Sequence, residues 1–400
     1  MQQFFRNIKG DRIIWAIAAL LAIFSFLPVY SAASNLAYTN GNGQTFSFVI
    51  KHFMHLFLGF VIIYAVHKLP FRYFKGISII MLPVVVMLLL YTMFQIDTSE
   101  SLTNTKRWIS LPFVGFSFQP STLASVVLMI YVARYLSKIH DKAVSFKETL
   151  LPLWLPVFGI VGLIFPANFS TAAILMSMVF LLAFIGGYPF KYLSMIGGVA
   201  LVLLVLFVLT FKAFPDLMPN RVDTWMSRVE RFQGSGDGTD NYQIEKAKIA
   251  IATGQIKGLG PGKSRQKNFL PQSSSDFIFA IIIEEYGLIG GMMLVLLYLW
   301  LLFRVVIVAH KSQTVFGSLL AIGIGMPIIF QAFINMGVAV ELFPVTGQTL
   351  PLISSGGTSI WMTCLAIGIL ISVSADYGAT EEIEMNEESQ NPLEILSETL

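Results

Sequence analysis

Apolar residues gather along this chain in runs of membrane-spanning length, parted by short polar stretches, and the pattern repeats from one end to the other. Ten runs stand out, at 13–33, 48–67, 77–96, 119–137, 150–166, 169–187, 191–212, 276–303, 315–340 and 350–374. A membrane-crossing helix needs about 20 mostly apolar residues. Hydrocarbon offers no water to backbone N–H and C=O groups, so runs of this length satisfy themselves as helices. The pattern predicts an all-α, polytopic membrane protein with about ten transmembrane helices. Only Pro166, Ala167 and Asn168 separate the fifth run from the sixth, which predicts a tight turn there. The first run is longer than the core of a cleaved signal segment and reads as a membrane helix.

Composition agrees. Hydrophobic residues make up 55% of the chain, charged residues 12%, and the mean hydropathy is +0.72. A soluble domain carries about 25% charge. The shortfall excludes a soluble globular enzyme, a disordered scaffold and a nucleic-acid binder with a broad basic face. The single cysteine, Cys364, falls inside an apolar run, which excludes a disulfide framework or a cysteine-based metal site.

Where the few charges sit predicts the orientation. The N-terminal stretch and the segments 68–76, 134–149, 188–191 and 304–314 hold thirteen Lys and Arg, whereas the opposite short loops hold only Lys51, Lys106 and Arg107, with Lys212 at a helix end. Cationic loops stay on the cytoplasmic side, so both termini are expected there. The long segment 213–275 before the eighth helix is then extracytoplasmic. It is basic, with nine Lys and Arg against six acids. Long loops translocate largely regardless of charge. A basic, glycine-containing loop over a membrane suits an anionic ligand such as a pyrophosphate, and a solvated loop that happens to be basic is the plain alternative. Residues 376–400 carry eight acids and no Lys or Arg, and read as a disordered acidic cytoplasmic tail behind a membrane domain of 1–375.

Three clusters carry candidate chemistry. Asp276 ends the basic loop and opens the eighth run. Ser275 or Asp276 would serve there as a helix cap; a carboxylate facing the loop would also accept a proton from a hydroxyl or hold a divalent cation. Glu284 and Glu285 follow within the run, and an acid inside a membrane helix is costly enough to mark function. Eight residues at about 100° each place Glu284 within about 80° of Asp276 on one continuous helix, so one face would turn both acids toward a cavity. Lys106, Arg107 and Trp108 form the second cluster. Trp108 suits an interfacial anchor, or, beside two cations, an aromatic face against a phosphate and a sugar. The third is 344–359, where Pro344, Pro351, Ser354, Ser355, Gly356 and Gly357 imply non-helical backbone at membrane depth, tolerated only where it lines a cavity or is buried in protein. His52 and His55 lack a third ligand nearby and read as interfacial histidines, and no Walker, Rossmann or HExxH pattern occurs.

These residues resemble the SEDS family of bacterial membrane proteins, which includes FtsW and RodA. The matching pieces are 29–32 (Val-Tyr-Ser-Ala), Arg107-Trp108-Ile109, 116–121 (Phe-Ser-Phe-Gln-Pro-Ser), Gly258-Leu259-Gly260, 275–280 (Ser-Asp-Phe-Ile-Phe-Ala), 284–287 (Glu-Glu-Tyr-Gly) and 351–359. The resemblance implies a peptidoglycan glycosyltransferase of the bacterial cytoplasmic (inner) membrane. It would polymerise lipid II, a disaccharide-pentapeptide on undecaprenyl pyrophosphate, into glycan strands on the outer face. It implies that Asp276 is catalytic and that Trp108 matters. Partners would be a class B penicillin-binding transpeptidase and other division proteins, at the septum if the FtsW branch holds; an elongation role like that of RodA is the alternative. Lys106, Arg107, Lys248, Lys263, Arg265 and Lys267 are candidates for the pyrophosphate, with Trp108, Glu284, Glu285, Ser354 and Ser355 completing the substrate site. A divalent cation, Mg or Mn, is the one cofactor expected. The chain departs from the family at Ser274-Ser275, where His-Thr is usual, at Thr122 and Ser125, where Glu and Lys are common, and at 166–171, which lacks an acid. The rival class is a lipid II flippase, which should carry cations along its cavity; a non-catalytic scaffold for the transpeptidase is a third.

Overall fold

A computed structural model describes residues 9–39, 45–94, 108–110, 117–213, 239–270 and 273–389. Its helices in chain order are α1 (Arg12–Thr39), α2 (Thr45–Val66), α3 (Phe74–Phe94), α4 (Pro120–Ile139), α5 (Phe146–Ile164), α6 (Phe169–Ile185), α7 (Phe190–Ala213), α8 (Thr239–Gly254), α9 (Ile278–Lys311), α10 (Val315–Ala339) and α11 (Gly357–Ser389). Each predicted run contains a described helix, although the tenth begins with non-helical backbone at 350–356. Eight of the described helices are long and apolar enough to cross a membrane, and α6 and the start of α7 are shorter apolar helices.

The expected turn between the fifth and sixth runs is present. Asn168 caps α6, its side chain accepting the Thr171 N–H at 3.2 Å. The capping box of Ser145 and Glu148 starts α5 earlier than its apolar run, and a π-helical turn at Leu150–Trp154 interrupts it. Helix α8 lies within the long basic segment and was not anticipated. It buries Ile244, Ala247 and Ala250, three apart, against α9 and α10. At the chain's end α11 carries on through residues 376–389, so the acidic tail expected to be disordered begins as helix. Its Ala, Glu and Met are good helix formers.

Helix α10 is the hub, packing on α4, α6, α9 and α11. Gly323, Gly325, Ala321 and Ala332 are buried on it, and such small residues let membrane helices approach closely. Helix α11 packs on α2, α3 on α4, and α1 on both α2 and α9, while α7 sits at the edge against α6. At one end of the bundle Arg304 Nε donates to the buried Asp11 Oδ2 at 2.7 Å, and Ser374 Oγ accepts the Asp11 N–H at 2.8 Å. These contacts bring the start of α1 and the far ends of α9 and α11 to one face, as the alternating topology requires.

The eighth run differs most from expectation. Helix α9 is broken at Gly287, whose φ of 69° and ψ of −171° are non-helical. A half-helix, Ile278 to Tyr286, therefore precedes the long span. The N-cap position falls on Phe277 rather than on Ser275 or Asp276. Asp276 lies before the helix, so helical periodicity does not relate it to Glu284, and the shared acidic face does not form.

Candidate active site

The 344–356 segment is non-helical, as its prolines and glycines predicted, and a net of hydrogen bonds fixes it beside Asp276. Asn335 Nδ2 donates to the carbonyl of Asp276 at 2.8 Å and to that of Gln348 at 2.7 Å. Ser354 Oγ donates to the Ser275 carbonyl at 2.6 Å and accepts the Leu350 N–H at 2.7 Å, and the Ser355 N–H donates to the Ser274 carbonyl at 2.9 Å. Gln331 Nε2 donates to the Thr349 carbonyl, and Gln348 Nε2 to Thr171 Oγ1, each at 2.9 Å. Tyr298 holds the Pro351 carbonyl from α9 at 2.6 Å. Buried backbone carbonyls need such partners in a medium without water. Outside this net, Lys248 of α8 is ion-paired with Glu341, three residues before the segment.

Asp276 borders a cavity of about 420 Å³ enclosed by α4, α6, α10, α11 and the 344–356 segment. Its polar end carries Gln119, Thr122, Asn168, Thr171, Gln348 and Ser355 beside the carboxylate. Its floor is apolar, with Val126, Met129, Ile174, Met178, Ile328 and Met362. Along α11 the lining runs from Ser359 to Ala366. At about 1.5 Å per residue that is roughly 10 Å of depth, a third of the thickness of a hydrocarbon core. Pro327 has no N–H to offer the carbonyl of Gly323, and both residues line the wall. A two-stranded antiparallel ribbon, β1 (Ile109–Ser110) with β2 (Ser117–Phe118), returns the chain from Trp108 to Gln119. It places Trp108, 38% exposed, at the cavity's rim.

Asp276, Trp108 and Ser355 thus converge on one cavity, and Ser354 is buried behind it as a brace. Lys106 and Arg107 lie outside the described residues. Lys263, Arg265 and Lys267 are not in the lining; they belong to a turn held by Glu284 and Glu285. Both glutamates are buried, at 0% and 1% exposure. Glu284 accepts the Ser264 hydroxyl and the Arg265 N–H at 2.9 Å, and Glu285 accepts the Ser264 N–H at 3.2 Å and the hydroxyl of Ser31 from α1. The expectation that they face the cavity with Asp276 is corrected, because the break at Gly287 and the close backbone approach of the 255–260 stretch turn them to the loop. The cavity lies among α4, α6, α10 and α11. Asn335 and Gln331 were missed. Two amides four residues apart in an apolar helix were the available sign.

His52 shares a 2.8 Å hydrogen bond with Ser25 Oγ, and His55 packs on Trp361. Among the described residues no three His, Cys, Asp or Glu gather to hold a metal. No Lys or Arg lines the cavity among those residues.

The fold and this site define a polytopic helical membrane protein with one carboxylate at the polar end of a cavity that reaches into the bundle. The chain belongs to the FtsW/RodA/SpoVE family, described as cell cycle proteins, whose model matches residues 11–378. It is similar to a protein of Geobacter sulfurreducens called probable peptidoglycan glycosyltransferase FtsW, with 32% identity over 92% of this chain and 95% of the relative. A protein of the same name from Hydrogenovibrio crunogenus is 32% identical over 90% of this chain and 91% of its own. Among solved structures, a chain of a peptidoglycan synthase complex, studied for the structural coordination of polymerization and crosslinking, superposes with a TM-score of 0.70 at 24% identity over 92% of this chain and 98% of that one. The rod shape determining protein RodA of Thermus thermophilus does so with a TM-score of 0.64 at 22% identity over 92% and 97%. These two matches concern the fold.

Proposed function

We propose that this protein is a peptidoglycan glycosyltransferase that polymerises lipid II at the outer face of the cytoplasmic membrane, in the cell-division branch of its family. The observation that carries the reading is Asp276, the one carboxylate among the described residues bordering the cavity, set at the polar end above an apolar floor. An amphiphile with a sugar head and a prenyl tail fits that division. In the reaction, the Asp276 carboxylate takes the proton of an acceptor sugar hydroxyl. The oxygen attacks the anomeric carbon of the donor as the bond to the lipid pyrophosphate breaks, and the pyrophosphate leaves with the bonding electrons. Cations stabilise the charge that develops on it; Lys106 and Arg107, just ahead of Trp108 in sequence, and Lys263, Arg265 and Lys267 on the loop are the candidates.

A resident metal does not fit the described cavity, which offers a single carboxylate. A Mg²⁺ carried by the pyrophosphate would need only one or two protein carboxylates, and Asp276 would be its protein ligand, supplying charge neutralisation. A class B penicillin-binding transpeptidase as partner and a place at the septum belong to the same proposal. Lipid II translocation is the second reading. The absence of Lys and Arg from the described lining weighs against moving an anionic head through this cavity.

Purified protein given lipid II, with products separated by length, tests the proposal. Glycan polymer is expected. Translocation in proteoliposomes without polymer would move the assignment to a flippase, and neither product would leave a scaffold.

A further inference from the structure

The break at Gly287 frees the half-helix Ile278–Tyr286 from the direction of the membrane span that follows it. Other contacts must therefore set its place. At its start Asn335 and Ser354 hold the carbonyls of Asp276 and Ser275. At its end the contact is with the basic loop. The N–H groups of Leu259 and Gly260 donate to the carbonyls of Glu284 and Glu285, each at 2.9 Å. The Glu284 carboxylate takes the Ser264 hydroxyl, the Arg265 N–H at 2.9 Å and the Gln266 N–H at 3.3 and 3.2 Å to its two oxygens. Every donor to this buried carboxylate comes from one turn, and none is a charged side chain. Burying an acid without an opposite charge is costly, and apolar packing would hold a loop as well. What the carboxylate adds is register, since it fixes three consecutive residues at once.

That turn bears the cations. Lys263 and Arg265 flank Ser264 and are exposed. Lys267 Nζ donates to the Gly262 carbonyl at 2.9 Å and to Ser31 Oγ at 3.2 Å. We infer that Glu284 is a positioning residue, which locks the 263–267 turn to the half-helix so that the exposed cations Lys263 and Arg265 stand at a fixed reach from Asp276 for an anionic diphosphate head group. This rests on the function proposed above. Glu284 itself touches no substrate; it lies six residues, roughly 9 Å of helix, beyond Ile278, where the half-helix begins two residues after Asp276.

Full-length purified protein is compared with Glu284→Gln and Ser264→Ala in lipid II polymerisation, with substrate concentration varied and melting temperature recorded. Expected is a KM for lipid II raised at least fivefold in Glu284→Gln and at least twofold in Ser264→Ala, with both proteins folded at the assay temperature. A purely structural role would lower the amount of active enzyme and leave KM alone. An unchanged KM in both variants overturns the inference, and if Glu284→Gln does not fold, Ser264→Ala decides it. No polymer from the wild type would instead sink the functional reading, so the two failures are distinguishable.

Discussion

One amide nitrogen, Asn335 Nδ2, serves two carbonyls from segments that are far apart in sequence, at 276 and 348. Truncation to alanine strands both acceptors in a region with little water, at about 1–3 kcal/mol for each unsatisfied group. Asn335→Ala is expected to lose at least tenfold in polymerisation rate and to melt at a lower temperature, measured on the same preparation. Asp276 stood out in the sequence through the family resemblance, because an acid at the entrance to a helix is equally well explained as a cap. Asn335 stood out less. A polar amide in an apolar run announces a partner, but its partner here is backbone, which has no residue-type signature. The same limit hid Glu284. Its cost marked it as important, while its donors, mostly peptide N–H groups, could not be read from side-chain identities.

Apolar run length located every membrane helix, because hydrocarbon thickness imposes it on the sequence directly. What that rule could not reveal was the break inside α9. Gly287, Gly290 and Gly291 stand close together, and only the backbone angles single out the first. Its conformation is one that residues with a side chain hardly adopt, and a Cβ there would stand 2.1 Å from the Ile256 carbonyl oxygen. Gly262 also has positive φ, at 76°, but open space around it. Gly287→Ala is therefore expected to abolish folded yield or polymerisation, whereas Gly262→Ala pays only for a left-handed backbone, about 1–2 kcal/mol, and keeps more than half the wild-type rate. Yield by size-exclusion chromatography and rate per folded molecule separate the two. Helix α8 escaped notice for a different reason. Its buried face is Ile and Ala at a spacing of three in a polar stretch, a weak pattern beside runs of membrane length.

Across the whole molecule, scarcity of charge organises the picture. The loops expected on the cytoplasmic side take half of the 26 Lys and Arg, and the long loop takes nine. The described wall of the cavity takes none, which leaves Asp276 as its one acidic side chain. On the proposed function, substrate charge would be met from the loops, and Asp276, at the cavity's polar end, would be the bond-making group. The most direct test of that account is the rate of lipid II polymerisation by folded Asp276→Asn protein against wild type, each in the same detergent and with melting curves matched. The account predicts glycan ladders from the wild type and a loss of at least a hundredfold in the variant. A variant that folds normally and polymerises at the wild-type rate would contradict it.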